Sequence, residues 1–256
     1  MARHETEALV LKIFDHGESD KIITFFTLDL GKITAIAKGA KRSKKRFVGK
    51  LELFNHLNIV VADNKYSSLM RVDEAELLNP FPALRANYGR FVCSTLVCEL
   101  ILGWTADHDR DDNIFQLLAW TYNQLTTSKP IPTLLLFQLH LLTLLGFHLH
   151  LSSCAQCGAQ VSNRENFVFV SAKNGVICSK CFTGEARDNT SVQLSLGTIK
   201  ILEKARELSA DKWPRLHFSK QSLKEAIALF QNHNSFLLQR DILSWKELQG
   251  LSPSSY

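Results

Sequence analysis

Along roughly the first third of the chain, apolar and polar positions alternate in short runs bounded by turn-forming residues. Segments 8–14, 21–28, 33–37, 57–62 and 68–73 are rich in Ile, Val, Phe and Thr, which is the period and composition of half-buried strands. His16-Gly17-Glu18-Ser19 and Asp29-Leu30-Gly31-Lys32 place glycine where a tight reversal needs a positive φ, and Asp63-Asn64-Lys65 suits a third reversal. Five short strands punctuated in this way predict a small closed barrel, with the OB-fold as the leading candidate.

After Pro80 and Pro82 the period lengthens. Leu84, Tyr88, Phe91, Thr95, Cys98 and Leu102 fall on one face of a helix starting near Ala83, which places a domain boundary after residue 79. Two further helices are predicted over 112–125 and 132–147, with Asp112 able to cap the first and Pro132 suited to the opening turn of the second. A polar, cysteine-bearing insert at 151–184 interrupts the pattern, which resumes over 195–208 and 219–248 with a serine at each start. Residues 252–256 are expected to fray. The expected fold class is therefore α+β. An N-terminal OB-fold β-barrel over 1–79 is followed by an α-helical domain over 80–256, which carries a zinc-ribbon-like four-cysteine insert at 151–184.

Composition narrows the class without naming a function. With 256 residues, 45% hydrophobic and 21% charged, the chain is too apolar to be disordered. Arg3, His4, Glu5 and Glu7 stand where a secretory signal would need an apolar stretch, so export is not expected. The most apolar run, 131–151, is broken by Gln138, His140, His148 and His150 and reads as a buried core helix rather than a membrane span.

Charge changes the picture only through its placement. The net charge is +5, and residues 1–79 hold 13 Lys/Arg against 11 Asp/Glu, an excess of only +2. Within that stretch, Lys38, Lys41, Arg42, Lys44, Lys45, Arg46 and Lys50 put seven cations into thirteen residues with no acid among them. A cluster of this kind is what phosphate recognition needs, because each cation beside a backbone phosphate releases condensed counterions. The bland alternative is a solvated loop. A position between barrel strands favours nucleic acid, since OB-fold loops and one sheet face form a groove for single strands. Phe47, inside the cluster, either stacks on a base or packs against the barrel.

Cys154-Ala-Gln-Cys157 and Cys178-Ser-Lys-Cys181 are two C-x-x-C pairs 20 residues apart, the spacing of a zinc ribbon or knuckle. Segment 167–170 followed by 173–177 reads as a hairpin that returns the second pair to the first, with Gly158 and Gly175 supplying permissive backbone. Four thiolates fill a tetrahedral shell and leave no open position, so the expected cofactor is one structural Zn2+ per chain. Cys93 and Cys98 read as core residues on an apolar helix, and His140, His148 and His150 as core or surface residues beside the insert. There is no G-x-x-x-x-G-K-[ST], G-x-S-x-G or H-E-x-x-H run, and no enzymatic activity is expected.

Taken in order, several stretches resemble the RecO family. They are Glu7-Ala8-Leu9-Val10-Leu11-Lys12, Gly17-Glu18-Ser19-Asp20-Lys21, Thr27 with Gly31-Lys32, Ala37-Lys38-Gly39-Ala40-Lys41-Arg42 and Leu51-Glu52-Leu53-Phe54. The cysteine pairs lie within the helical region, as in the zinc-bearing members of that family. The resemblance implies an N-terminal OB-fold, a helical C-terminal domain, binding of single- and double-stranded DNA, and annealing of complementary strands. It also implies work with RecR and with the acidic C-terminal tail of SSB, and through them the loading of RecA in bacterial recombinational repair, in the cytoplasm at the nucleoid. Carried over by position, the phosphate contacts are Lys38, Lys41, Arg42, Lys44, Lys45, Arg46 and Lys50. The SSB pocket is expected on the helical domain, its residues unassigned. Two rival classes are a zinc-containing protein-interaction adaptor without annealing activity and a zinc-ribbon transcription or RNA-processing factor.

Overall fold

A computed structural model describes residues 2–63, 69–162, 167–183 and 191–250, and the chain falls into two compact units, Met1–Thr126 and Thr127–Tyr256. In the first unit, β1 (Arg3–His16), β2 (Asp20–Thr27), β3 (Gly31–Ala37), β4 (His56–Ala62) and β5 (Met70–Asn79) close a barrel in the order β1-β2-β3-β5-β4. All neighbours are antiparallel except β3 and β5, which run parallel through Ala35↔Met70 and Ile36↔Arg71. This is the OB-like barrel that the alternating pattern predicts. Its interior is filled by inward-facing residues such as Val10, Ile23, Phe25, Ile33, Ala35, Leu57, Ile59 and Val72. A register shift between Val10 and Lys12 changes which β1 residues face inward beyond that point. The expected turn at 63–65 and the start of the fifth strand at Ser68 fall in part on 64–68, outside the described residues, as does the tail at 252–256.

Helices follow the barrel within the same unit: α1 (Pro82–Ala86), α2 (Tyr88–Trp104) and α3 (Asp112–Thr127). Two expectations need correction. The continuous helix from Ala83 is broken at Asn87, whose extended backbone (φ −119°, ψ 123°) and side chain, accepting from the Arg90 N–H, cap a new helix. The buried face of α2 consequently runs through Val92, Leu96, Val97, Leu100 and Ile101, leaving Tyr88 59% exposed. The cap of α3 is Asp111, which accepts from Asn113 and Ile114, whereas Asp112 pairs with Arg110. Phe54, in the left-handed region at φ 72°, is buried edge-on against Phe91 and Tyr122. Cys98 contacts the Tyr122 hydroxyl at 3.0 Å, and burial pushes both Cys93 and Cys98 up to about 12, which leaves them inert thiols in the core.

The second unit opens with α4 (Pro130–Leu144), the buried helix read from the apolar run; two residues past its end stands Gly146, whose φ of 84° suits only glycine without strain. Among the described residues no helix is long and apolar enough to cross a membrane. A three-stranded sheet follows, with β6 (Phe167–Val170) central between β7 (Gly175–Cys178) and β8 (Ser191–Leu194). Then come α5 (Leu196–Glu207) and α6 (Lys220–Leu238), capped by Ser195 and Ser219 as expected. The single helix expected over 219–248 stops at Gln239 (φ 49°), and α7 (Ser244–Gln249) is a separate short helix. On the buried side of α6, His233 is fully buried and meets Phe169 edge-on with ring centroids 5.1 Å apart; among the described residues neither ring nitrogen has a hydrogen-bond partner. Burial pushes its pKa down to about 4.

Candidate nucleic-acid interface and metal centre

The connection from β3 to β4 carries all seven cations, and two apolar side chains determine where they sit. Phe47 (4% exposed) and Leu51 (2% exposed) enter the barrel core, so the loop closes one end of the barrel instead of hanging free. Burial of Phe47 settles its alternative readings in favour of packing. Arg46 lies over the outer side of that ring, its guanidinium 4.1 Å from the centroid, and donates to the Lys38 carbonyl at 2.9 Å.

The start of the loop is fastened to the β1–β2 turn. Asp20 accepts from the Gly39 N–H at 2.8 Å, and this bond, reinforced by the Ser19 hydroxyl, holds its carboxyl below the usual carboxylate range. Lys41 donates its backbone N–H to Ser19 and its ammonium to the Gly17 carbonyl, 3.1 Å from the Asp15 carboxylate. Arg42 pairs with Glu18 at 3.1 Å, both widely exposed. At the far end, Lys50 reaches the Ala75 carbonyl at 2.7 Å, while Asn55, fully buried, donates to the carbonyls of Gly49 and Lys50 and accepts from Arg85.

The seven residues thus separate by geometry. Lys38, Lys44 and Lys45 are exposed and, among the described residues, their ammonium groups make no hydrogen bond or ion pair. Lys41 and Arg42 are matched to acids in pairs that water and salt weaken to about 0–1 kcal/mol. Lys50 acts as a strut to β5. Sequence reasoning missed Asp15, Glu18 and Asp20 as the fasteners of this loop; the only sign was the dense polar turn 16–20, because the pairings themselves span 19 to 26 residues.

In the second unit the two C-x-x-C pairs converge. The four Sγ atoms of Cys154, Cys157, Cys178 and Cys181 lie within 4.8 Å of one another, with Cys157 and Cys178 3.7 Å apart. A tetrahedron with metal–sulfur bonds of about 2.3 Å has edges of about 3.8 Å, so the donor set fits a closed thiolate shell. Each pair sits in a tight turn: Gly158, at φ 74°, donates to the Cys154 carbonyl, and Cys181 and Phe182 donate to that of Cys178. The two turns are joined through β7, where Ala155 donates to the Val176 carbonyl. Gly175 is required there, since a Cβ would lie 2.8 Å from that of His150.

Burial alone would raise the Cys154 thiol, but N–H groups of Cys157, Cys178 and Gln156 aimed at its sulfur outweigh it and bring it to about 6. Cys181 is pushed up to about 12 by its neighbouring thiols. Four thiolates repel one another unless a cation lies between them, and these residues can hold a metal ion. Among the described residues no histidine joins the group. His140 instead stacks on Trp213 at 3.6 Å.

Comparison with known proteins places both units. The family model described as recombination protein O N terminal matches residues 1–81, and that described as recombination protein O C terminal matches residues 85–246. The chain is 31% identical over 248 residues to the DNA repair protein RecO of Syntrophus aciditrophicus (strain SB), covering 96% of this chain and 95% of that protein. It is 32% identical over 238 residues to the DNA repair protein RecO of Anaeromyxobacter dehalogenans (strain 2CP-1 / ATCC BAA-258), covering 91% and 92%. Its identity to the DNA repair protein RecO of Geobacter metallireducens (strain ATCC 53774 / DSM 7210 / GS-15) is 29% over 255 residues, covering 99% and 100%.

Proposed function

The chain belongs to the RecO family of DNA repair proteins, and on that footing we propose that it is a non-enzymatic recombination mediator that binds single- and double-stranded DNA and anneals complementary strands. Residues 1–79 form the DNA-binding domain, with phosphate contacts from Lys38, Lys41, Arg42, Lys44, Lys45, Arg46 and Lys50. Residues 80–256 form the helical domain, which holds one structural Zn2+ on Cys154, Cys157, Cys178 and Cys181. The observation that carries the reading is the acid-free cationic loop fastened across the barrel end by Phe47 and Leu51.

The physical role is charge neutralisation. Two DNA strands repel each other through their phosphates, and cations held at fixed positions lower that repulsion so that complementary bases can pair. No covalent step is involved. Together with RecR and the acidic SSB tail, the protein helps to load RecA on SSB-coated DNA, in the bacterial cytoplasm at the nucleoid.

About five phosphate contacts give a single-strand salt slope of roughly −3.5. A fluorescence-anisotropy salt series on the wild type and on the Lys41→Ala, Arg42→Ala, Lys44→Ala, Lys45→Ala, Arg46→Ala variant should show that slope flatten, and an annealing assay should show the rate fall in parallel. An unaltered slope would place DNA elsewhere on the chain. Capture of protein partners with no DNA binding in dilute salt would instead favour a zinc-containing adaptor.

A further inference from the structure

The outer surface of the barrel is not uniformly covered. Leu9 and Phe26, paired across β1 and β2, are fully buried on it, yet five residues along β1 Phe14 is 49% exposed. Ile13, Ile23 and Ala35 face the core, so their neighbours Phe14, Ile22 and Ile36 stand on the outer face, in register across three strands through Phe14↔Ile22 and Ile22↔Ile36. At 4.8 Å between strands, the row is about 10 Å long, the length of a nucleobase with room to spare.

Cations flank the row. The Lys12 ammonium lies 4.4 Å from the centroid of the Phe14 ring. Lys38, exposed and two residues beyond Ile36, lies just past the end of β3 and begins the cationic loop; Arg71, held by Asp73 at 2.6 Å, is the β5 partner of Ile36. The turn that fastens the loop, residues 17–20, is the continuation of the strand that carries Phe14.

A half-bare apolar row headed by one aromatic ring, between phosphate-seeking side chains, suits one ligand chemistry: a flat apolar face carried on a polyanion. A duplex keeps its base faces stacked inside, so only an unpaired strand presents one. We infer that Phe14, with Lys12 above it and Ile22 and Ile36 beside it, is a stacking platform for an unpaired base of single-stranded DNA. This rests on the proposed DNA-binding role and adds what the cations do not supply, a means of telling single strands from duplex.

The test uses the full chain and three fluorescent probes of equal charge: an oligothymidylate, an abasic oligodeoxynucleotide and a duplex. Phe14→Ala should weaken oligothymidylate binding about five- to tenfold, within the range that stacking supplies, while leaving the salt slope, the abasic probe and the duplex unchanged. Phe14→Trp should restore binding. Because the ring is half exposed, the thermal midpoint of both variants should match the wild type, which separates loss of stacking from loss of fold. Equal affinity of Phe14→Ala and wild type for oligothymidylate, or an equal loss on the abasic probe, overturns the platform while leaving the DNA-binding role intact. Failure of the wild type to bind any probe in dilute salt overturns both.

Discussion

The ammonium of Lys32, on β3, lies 2.5 Å from the carbonyl of Thr105, the residue at which α2 ends. It also donates to the Leu102 carbonyl and pairs with Asp107, with its side chain only 12% exposed. A barrel strand thereby supplies the cation that the negative end of a helix attracts, and satisfies carbonyls with no partner inside the helix. Lys32→Met should cost about 1–2 kcal/mol, read as a lower urea midpoint with unchanged m-value. A midpoint within error of the wild type would remove this role.

Next to it, Gly31 has φ 64°, and a Cβ there would lie 2.2 Å from the Asp109 carbonyl oxygen. A backbone carbonyl cannot swing aside as a side-chain tip can, so Gly31→Ala should lower stability by more than about 1 kcal/mol, whereas Gly39→Ala, with open space around its Cβ, should cost less. Comparable melting points for the two variants would contradict this.

The cations of the loop should divide by what each already holds. Lys44→Ala with Lys45→Ala should make the single-strand salt slope less negative by about 1.4 and leave the melting temperature unchanged. Lys50→Ala, which removes the strut to Ala75, should lower the melting temperature. If Lys50→Ala changes only the slope, the bond to Ala75 carries no stability and Lys50 serves as a phosphate contact alone.

Metal analysis in reducing buffer should find one zinc per chain. Cys178→Ser, which removes a buried ligand on β7, should lose the metal and unfold the sheet of the second unit, because thiolate binding and local folding are coupled. The first unit gives an internal control: tyrosine signals from Tyr122 should keep their native environment. Absence of zinc from the wild type would end the four-thiolate metal assignment.

His233 should make the protein acid-sensitive. Burial lowers its folded pKa to about 4, against 6.5 for the free side chain, so below pH 6.5 the unfolded chain takes up a proton that the folded chain refuses. Stability should therefore fall from about pH 6.5 to pH 4 and level off below, with a contribution on the order of 2–3 kcal/mol from this residue. His140, lowered to about 4 chiefly by burial, adds in the same direction. In His233→Leu, the urea midpoint should drop less between pH 7 and pH 5 than in the wild type; parallel losses would assign the acid limb to other groups.

What could be read from the chain follows the range of the forces involved. Strand alternation, Gly17 and Gly31 at the turns, Ser195 and Ser219 as caps, and the two cysteine pairs are local signals, and all appear where the pattern places them. The break at Asn87 was hidden because Leu84 and Phe91 keep a helical spacing across it; the stop at Gln239 because glutamine is an ordinary helix residue. β8 escaped notice because four residues paired on one side only carry little pattern. In the basic loop the charge was plain, but its division into free and engaged cations depends on Asp15, Glu18 and Ala75, which only the closed barrel brings near.

With the Phe47 ring locked inside the barrel, the chain on either side of it loses its freedom when the protein folds, before any ligand arrives. A synthetic peptide spanning 38–50 would carry the same charge, yet it would have to surrender that conformational entropy on meeting a polyanion. Grafted into the barrel, the same thirteen residues should hold DNA more tightly than they do alone, by an amount that reflects rigidity rather than electrostatics.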